Sequence, residues 1–149
     1  MRRRPVLPPI YFLLTMVLMV SLHVLVPVQQ IIPSRLRYVG VAPLVAGLFL
    51  NMWAAKLFGR ARTTIKPFQQ SSALVVQGPY RLSRNPMYLG MVVALIGVGV
   101  LLGSVTPWAV IPAFALVIDR RFIRAEETEL GRTFGSAYTA YRATVRRWT

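Results

Sequence analysis

Four apolar stretches divide the chain, and polar segments separate them. The stretches run over about residues 10–32, 39–58, 88–102 and 106–118. Glycine and proline within residues 103–107 break the helix between the third and the fourth stretch. A helix that crosses a bilayer needs about 20 apolar residues, so the last two stretches are short. They either cross a thin bilayer with little tilt or extend into the polar segments beside them. The pattern predicts an all-α membrane protein, a bundle of about four transmembrane helices.

Two polar segments lie at the same end of the hairpin that the last two stretches would form. Residues 78–90 read GPYRLSRNPMYLG, and residues 120–130 read RRFIRAEETEL and hold three of the chain's four acidic residues. Ionisable residues at the membrane are functional candidates by default. The two segments together predict a site at one surface of the membrane.

The segment from Asp119 onward is predicted to form an amphipathic helix. Its apolar residues recur at spacings of three, four or seven and form one stripe: Ile123, Leu130, Phe134, Ala137, Tyr141, Val145 and Trp148. Glu127 lies on this stripe, where a carboxylate is costly unless a donor or a cation meets it. Glu129 fits a solvated face that pairs with arginines. We therefore expect Glu126 and Glu127, and not Glu129, to serve a site.

Composition and charge indicate a membrane protein with an ordered topology. Hydrophobic residues make up 55% of the chain, and its net charge of +14 alone would suit a nucleic-acid binder. The basic residues lie in loops between apolar stretches, which favours anionic lipid and argues against a nucleic-acid partner. Of the 18 lysines and arginines, only Arg35 and Arg37 fall on the side away from the polar segments. The positive-inside rule then predicts a multi-pass protein of the inner (cytoplasmic) membrane with both termini in the cytosol.

The basic start MRRR resembles the first part of a signal peptide. The apolar stretch that follows is too long, and no small-x-small cleavage site ends it, so we expect a retained helix.

Several kinds of chemistry are excluded by the residues present. The chain has no cysteine, so thiolate catalysis and cysteine metal sites are excluded. His23 is the one histidine, and we expect it to be packed and not to bind metal. The glycines of residues 97–103 imitate a dinucleotide fingerprint within an apolar stretch, where close helix packing is the better interpretation. Any catalysis must therefore do without a metal or a covalent nucleophile.

The ordered motifs of the second half resemble those of a known family. They are Leu74-Val75, Gly78-Pro79-Tyr80, Arg84-Asn85-Pro86-Met87-Tyr88-Leu89-Gly90, Glu126-Glu127, Leu130, Phe134-Gly135, Tyr138 and Tyr141. In order and spacing they are similar to those of the isoprenylcysteine carboxyl methyltransferases and the related phospholipid methyltransferases. The resemblance covers roughly residues 58–147.

This resemblance implies an integral membrane enzyme that takes S-adenosylmethionine from the cytosol and a lipophilic acceptor from the bilayer. The residues that match the family's cofactor pocket are Leu74, Val75, Tyr80, Asn85, Pro86, Met87, Tyr88 and Glu126, the last as the acid that contacts the cofactor. The chain would form one membrane domain, 1–149, with two N-terminal spans over 1–58. The cofactor-binding catalytic core would occupy 59–149.

Two positions depart from the family pattern. Asn85 stands where the family often has histidine, and asparagine cannot carry a proton at neutral pH. Phe122 stands where the eukaryotic prenylcysteine enzymes have an arginine that meets the substrate carboxylate. We expect the neighbouring Arg121 and Arg124, together with Glu127, to lie near the acceptor's head group.

The acceptor is left open by the residues. Methylation of a carboxylate, as in isoprenylcysteine O-methylation, needs no base, whereas N-methylation of an amine or phospholipid needs one, such as Glu127. A non-enzymatic lipid-binding or scaffold protein would explain the spans but not the ordered motifs. A small transporter would need more polar residues at mid-membrane depth than His23, Thr15, Ser21 and Asn51.

Overall fold

The described part of the chain is helical. The computed structural model describes residues 7–26, 28–61 and 72–149. Within these ranges it has no strand, and its one isolated β-bridge joins Gln30 to Ser104. The α-helices are α1 (Pro8–Leu25), α2 (Val41–Arg60), α3 (Pro86–Leu102), α4 (Val110–Ile118) and α5 (Arg124–Thr144). The predicted all-α fold class is confirmed.

Short 3-10 turns, which are tighter than an α-helix, and one π turn, which is wider, lie between the described α-helices. Short 3-10 turns, Ser34–Gly40, Gly78–Arg81 and Thr106–Ala109, precede α2, α3 and α4, and a π turn, Asp119–Ile123, joins α4 to α5. The fourth apolar stretch therefore continues without a break into the second polar segment, which was one of the two options for this short stretch. Within α5, Gly135 has a positive φ of 52° and kinks the helix.

The first apolar stretch is helical only to Leu25, so the prediction of one element reaching residue 32 is wrong. Pro27 follows in the sequence, and proline cannot continue the hydrogen-bond ladder of a helix. The backbone beyond it pairs with the turn after α3. The amides of Ile31 and Ile32 both donate to the carbonyl of Gly103, at 2.9 and 3.1 Å.

A cluster of polar side chains joins the end of α1, the segment after it and the turn after α3. This cluster lies at the end of the molecule opposite the two polar segments. His23 Nδ1 lies 2.8 Å from the hydroxyl of Ser104, which is fully buried. Arg37 donates from Nε to the carbonyl of Ile32 at 3.2 Å and from its terminal nitrogen to the side-chain oxygen of Gln30 at 2.8 Å. The histidine is packed, as the sequence predicted.

Helices α2 and α3 approach each other through pairs of glycines. A Cβ on Gly90 would lie 2.6 Å from the carbonyl oxygen of Gly47, and one on Gly40 would lie 2.6 Å from that of Gly97. Such distances leave no room for a side chain, so the two backbones are in direct contact. The packing role expected for the glycines of residues 97–103 is confirmed at Gly97.

Within the part of the chain that the structure describes, two helical stretches are long and apolar enough to cross a membrane. They are Pro8–Leu25 and the 27 residues Ser34–Arg60, and each buries only 11% of its most apolar window inside the protein. Most of their apolar side chains therefore face outward, as they do in helices that contact lipid. Helix α3 is also apolar but has only 17 residues.

The buried core forms where α1, α3, α4 and the π turn meet. Met19, Leu95 and Ile118 are fully buried there, and Phe122 is 1% exposed. The ring of Tyr11 meets the ring of Phe122 edge-on, with centroids 5.5 Å apart. This core holds the start of α5 against α3 and so fixes the two polar segments relative to each other.

Candidate functional site

A cavity of about 630 Å³ opens between the two polar segments. Most of the residues expected to bind a cofactor or serve catalysis line it: Leu74, Val75, Tyr80, Asn85, Met87, Tyr88, Glu126 and Glu127. Pro86 is buried as the first residue of α3 and does not line the cavity. Two segments about 40 residues apart in the sequence thus share one concave surface.

Local backbone chemistry shapes the loop that precedes α3. Gly78 has a positive φ of 59°, which glycine adopts without steric cost. Pro86 begins α3, where its fixed φ suits the first helical position and no amide donor is lost. The amide of Asn85 donates to the hydroxyl of Ser83 at 3.1 Å and closes the turn between them.

Glu126 and Tyr88 join the two halves of the cavity. The hydroxyl of Tyr88, on α3, donates to Glu126 Oε1, on α5, at 2.7 Å. Burial raises the pKa of Glu126 to about 7, although the hydrogen bond from Tyr88 lowers it and the charge of Glu127 raises it further. This carboxyl therefore titrates near neutral pH, and a ligand of positive charge would favour its ionised form.

Tyr80 forms an aromatic wall of the cavity. Its ring meets the ring of Phe58 edge-on, with centroids 5.6 Å apart, and its carbonyl accepts a hydrogen bond from the hydroxyl of Tyr141 at 2.6 Å. Burial raises the pKa of the Tyr80 hydroxyl well above its usual value, so this hydroxyl stays neutral.

Glu127 is held by two guanidinium groups. Arg84 Nη2 lies 3.0 Å from Glu127 Oε1. Arg147 donates to both oxygens, from Nε to Oε1 at 3.2 Å and from Nη2 to Oε2 at 2.7 Å. Arg147 also reaches Asp119 at 3.2 Å, and Asp119 pairs with Arg124 at 2.9 Å. This set of ion pairs meets the requirement, stated from the sequence, that a cation must accompany a buried Glu127.

The residues after α5 fold back against the loop before α3. The carbonyl of Arg147 accepts hydrogen bonds from Asn85 Nδ2 at 3.1 Å and from the hydroxyl of Ser83 at 3.2 Å. The carbonyl of Arg146 accepts one from the amide of Arg84 at 3.0 Å. The side-chain amide of Asn85, expected to meet a cofactor, is thus bonded to the protein's own C-terminal segment.

Arg121 and Arg124 do not line the cavity. Arg124 pairs with Asp119 and its side chain is 61% exposed, while the guanidinium of Arg121 lies 6.0 Å from the ring centroid of Tyr11 on the outer surface. Phe122, at the position where the resemblance places an arginine of the eukaryotic prenylcysteine enzymes, is part of the core. The structure thus groups Glu127 with Arg84 and Arg147 and not with the two arginines expected from the sequence.

Sequence reasoning left several residues of the cavity lining without a role, among them Asn51, Arg84 and Tyr138. Glu129, expected to lie on a solvated face and not to serve a site, also lines the cavity. Asn51 donates from Nδ2 to the carbonyl of Met87 at 3.0 Å, in the first turn of α3. An asparagine within an apolar stretch was a usable signal, and Arg84 and Tyr138 belong to the ordered motifs. Among the described residues, no group of three or more histidine, aspartate and glutamate side chains could hold a metal ion.

Comparison with known proteins relates the sequence of this chain to a family. The family model for phospholipid methyltransferases matches residues 36–137. A probable protein-S-isoprenylcysteine O-methyltransferase from Oryza sativa subsp. indica is 32% identical over 109 residues, which cover 70% of this chain and 56% of that protein. An uncharacterized protein of Haemophilus influenzae is 39% identical over 62 residues, 42% of this chain and 98% of that protein.

A third protein is similar over a comparable part of the chain. The nickel-cobalt-cadmium resistance protein NccN of Alcaligenes xylosoxydans xylosoxydans is 37% identical over 67 residues, 44% of this chain and 31% of that protein. No solved structure gives a significant match to the chain. The family model spans most of the chain and includes both polar segments that form the cavity, and on this ground the chain belongs to the phospholipid methyltransferase family.

Proposed function

We propose that this protein is a membrane methyltransferase that uses S-adenosylmethionine to methylate an amphiphilic acceptor at the cytosolic face. One observation carries the proposal. The cavity combines the loop and first turn of α3, which supply Tyr80 and Tyr88, with Glu126 at the start of α5. These are the positions that the family resemblance relates to the cofactor, and they are far apart in the sequence.

The residues of the cavity fit the chemistry of this donor. When bound, S-adenosylmethionine supplies a methyl group on a sulfonium whose positive charge disappears during transfer. The rings of Tyr80 and Tyr88 and the carboxylate of Glu126 suit a cationic ligand. The volume of about 630 Å³ lies within the usual range for sites that enclose a small molecule. Positioning and exclusion of water would supply most of the rate acceleration.

The proposed membrane arrangement is one domain with four spans and both termini in the cytosol. Two observations support it. Arg35 and Arg37 lie in the turn before α2, at the end of the molecule where Arg37 bonds to Ile32 and Gln30. Arg84 and Arg132 line the cavity at the other end, where basic residues are abundant. The N-terminal spans would cover 1–58 and the catalytic core 59–149.

The acceptor is proposed to enter from the lipid. The cavity extends to Pro8 and Pro9 at the start of α1 and to Phe58 on α2, which are helices with outward apolar faces. An acyl or prenyl tail could pass between these helices while the head group reaches Glu127 and the cofactor. Since Arg121 and Arg124 do not line the cavity, they would hold an anionic head only at its mouth.

An amine acceptor is the second proposal, and the environment of Glu126 favours it. An amine must lose a proton before its lone pair attacks the methyl carbon and the carbon–sulfur bond breaks. Glu126, with a pKa of about 7, could take that proton, whereas both oxygens of Glu127 are bonded to guanidinium groups. A carboxylate acceptor would meet an arginine in the prenylcysteine enzymes. This chain has Phe122 at that position, and Phe122 is buried in the core.

Calorimetry on the detergent-solubilised protein tests the proposed donor. S-adenosylhomocysteine should bind, and Tyr88→Ala and Glu126→Ala should each weaken binding at least about tenfold, or about 1.4 kcal/mol. Arg35→Ala, at the opposite end of the molecule, is the matched control and should bind as the wild type does. Wild-type affinity in both folded cavity variants would refute the assignment.

Incubation of membranes with methyl-labelled S-adenosylmethionine then identifies the acceptor class. Label should appear in the organic extract, and the rate should rise with pH if the acceptor is an amine. Label found only in water-soluble products would contradict the lipid acceptor and leave the methyltransferase proposal standing.

A further inference from the structure

One exposed face runs along α4, the π turn and the first residue of α5. Its residues form two rows in which every fourth position is exposed, so they lie on one side of the helix. The positions that separate them are mostly buried, among them Phe114, Ile118 and Phe122. We call this surface the outer face. Its residues are Pro112, Ala113, Leu116, Val117, Arg120, Arg121 and Arg124.

The outer face changes abruptly from apolar to cationic. Leu116 is 48% exposed and Val117 is 41% exposed. The next positions in the two rows are Arg120 and Arg121, which are also exposed. Four residues of a helix rise about 6 Å, so each arginine lies about one turn beyond an exposed apolar side chain. This order is typical of a helix that passes from the hydrocarbon of a bilayer into the head-group region.

Arg120 and Arg121 carry charge that no acid of the chain neutralises in an ion pair. The chain has four acidic residues, and all four lie in its described part. The ion pairs of the described residues join two of these acids to other arginines, and none involves Arg120 or Arg121. Arg124, the third arginine of the outer face, pairs with Asp119 at 2.9 Å. The cationic end of the outer face therefore offers the guanidinium groups of Arg120 and Arg121 to a ligand.

Helix α1 lies beside the outer face and contacts Arg121. The guanidinium of Arg121 lies 6.0 Å from the ring centroid of Tyr11. Further along the two helices, the rings of Phe12 and Phe114 meet with centroids 6.4 Å apart. Helix α1 is long and apolar enough to cross a membrane, and a tyrosine and an arginine at the end of such a helix are typical anchors at the membrane interface. The two arginines therefore lie at the level expected for the phosphates of lipids.

We propose that the outer face binds an anionic phospholipid, whose phosphate contacts Arg120 and Arg121 and whose acyl chains lie along residues 112–117. A guanidinium forms paired hydrogen bonds with phosphate, which makes arginine well suited to this ligand. A lipid with net negative charge is favoured over a zwitterionic lipid, because its charge is balanced by the protein and not within its own head group. Neither arginine lines the cavity, so this site is separate from the candidate functional site and goes beyond the proposed function.

Native mass spectrometry of the detergent-solubilised protein tests the proposal with two dioleoyl lipids, phosphatidylglycerol and phosphatidylcholine. Each arginine near an anionic lipid contributes to binding, so Arg120→Gln/Arg121→Gln should bind phosphatidylglycerol about tenfold more weakly than the wild type does. Phosphatidylcholine should bind the wild type more weakly than phosphatidylglycerol and should respond little to the substitutions. Glycerol phosphate, which has no acyl chains, should also bind more weakly than phosphatidylglycerol.

Arg142→Gln/Arg146→Gln is the matched control. It removes the same charge from two exposed arginines outside the outer face and should bind phosphatidylglycerol as the wild type does. Arg120→Lys/Arg121→Lys keeps the charge and should retain most of the binding, because lysine also binds phosphate as a point charge.

Thermal unfolding separates lipid binding from structure. Because neither arginine of the pair forms an ion pair with an acid, Arg120→Gln/Arg121→Gln without lipid should melt at the wild-type temperature. Added phosphatidylglycerol should raise the melting temperature of the wild type, because it binds the folded protein, and should raise that of the variant less.

Wild-type binding of phosphatidylglycerol by Arg120→Gln/Arg121→Gln would overturn the site, as would equal binding of the two lipids by the wild type. Equal weakening in Arg142→Gln/Arg146→Gln would also overturn it and assign the effect to net charge. Glycerol phosphate that binds as tightly as phosphatidylglycerol, or polyglutamate that binds where phosphatidylglycerol does not, would refute a lipid as the ligand. None of these experiments includes S-adenosylmethionine, so their outcome is independent of the proposed function.

Discussion

Two adjacent carboxylates, Glu126 and Glu127, have different environments at this site. Among the described residues Glu126 accepts a hydrogen bond from Tyr88 and has no ion pair, whereas both oxygens of Glu127 meet the guanidinium groups of Arg84 and Arg147. The sequence predicted that both acids serve a site, and both line the cavity. The sequence could not show that only Glu127 is paired with guanidinium groups, because that pairing depends in part on Arg147, which lies 20 residues further along the chain.

Replacement of Glu126 by glutamine should stabilise the protein without ligand in a pH-dependent way. The folded-state pKa of Glu126, about 7, lies above the ordinary value of 4.5. The protonated acid therefore makes its full contribution to the free energy of unfolding below pH 4.5. This contribution is lost as the pH rises through 7. Glu126→Gln should gain little at pH 5 and up to about 3 kcal/mol above pH 7. Thermal unfolding in detergent between pH 5 and 8.5 measures this gain.

Glu129→Gln, three residues along α5, controls for the loss of one negative charge. A gain for Glu126→Gln that is constant over the whole pH range would contradict the raised pKa. A gain that also appears in the control would assign the effect to net charge and not to burial.

At the scale of helices, glycine contacts fix how closely α2 approaches α3. Gly47→Ala would place a methyl group against the backbone of Gly90 and Ala94. Overpacking of this kind usually costs about 1–3 kcal/mol of stability. Because the methyl group would meet backbone atoms, which cannot move aside as a side chain can, we expect the free energy of unfolding to fall by about 3 kcal/mol. Thermal unfolding in detergent checks it.

Gly59→Ala is the matched control for this substitution. Gly59 lies on the same helix, and a Cβ there would have no atom within 4 Å. Alanine should leave the protein unchanged or stabilise it by up to about 1 kcal/mol, because it restricts the unfolded chain. Equal losses at the two positions would contradict direct backbone contact between α2 and α3.

The segment after α5 holds the loop before α3 through Arg147. Arg147→Ala would leave Glu127 and Asp119 with one cation each. It should lower the free energy of unfolding by about 2 kcal/mol. This is less than for a fully buried pair, because the side chain of Arg147 is 32% exposed. Binding of S-adenosylhomocysteine should weaken as well, because Glu127, which lines the cavity, loses the guanidinium that meets both of its oxygens. Chemical unfolding and calorimetry measure the two effects.

Arg146→Ala removes an exposed neighbouring side chain and keeps the backbone carbonyl that accepts from Arg84. It should leave stability and binding at wild-type values. If Arg147→Ala behaved in the same way, the ion pairs of Arg147 with Glu127 and Asp119 would contribute neither to stability nor to the cavity.

Helices were more predictable from the sequence than the contacts between them. Apolar patterning predicted all-α structure, and proline and glycine at 103–107 predicted the break between α3 and α4. Hydropathy alone allows the fourth apolar stretch either to end at the membrane surface or to continue into the next helix, because it cannot tell the end of a span from the end of a helix. The contacts of Arg147 with Asn85 and Glu127 were not predicted, since no local pattern reports pairing across 62 or 20 residues.

At the scale of the whole molecule, the orientation in the membrane is open to a direct test. The chain has no cysteine, so a single introduced cysteine is the only thiol. Ser34 and Ala140 are both exposed, near the two opposite ends of the molecule. A membrane-impermeant maleimide should label Ser34→Cys in intact cells and label Ala140→Cys only after permeabilisation, as the positive-inside rule requires. The reverse pattern would contradict the proposed topology.

The π turn Asp119–Ile123 has a consequence for how related chains should be aligned. A π turn holds one residue more than the α turn it replaces, and each helical residue rotates the chain by about 100°. Deletion of one residue, such as the exposed Arg120, would restore a continuous α-helix and would rotate Glu126 and Glu127 away from the cavity while Phe114 stayed in the core. A one-residue gap here between relatives would therefore mark a change in which side chains reach the cavity, even where every neighbouring residue is identical.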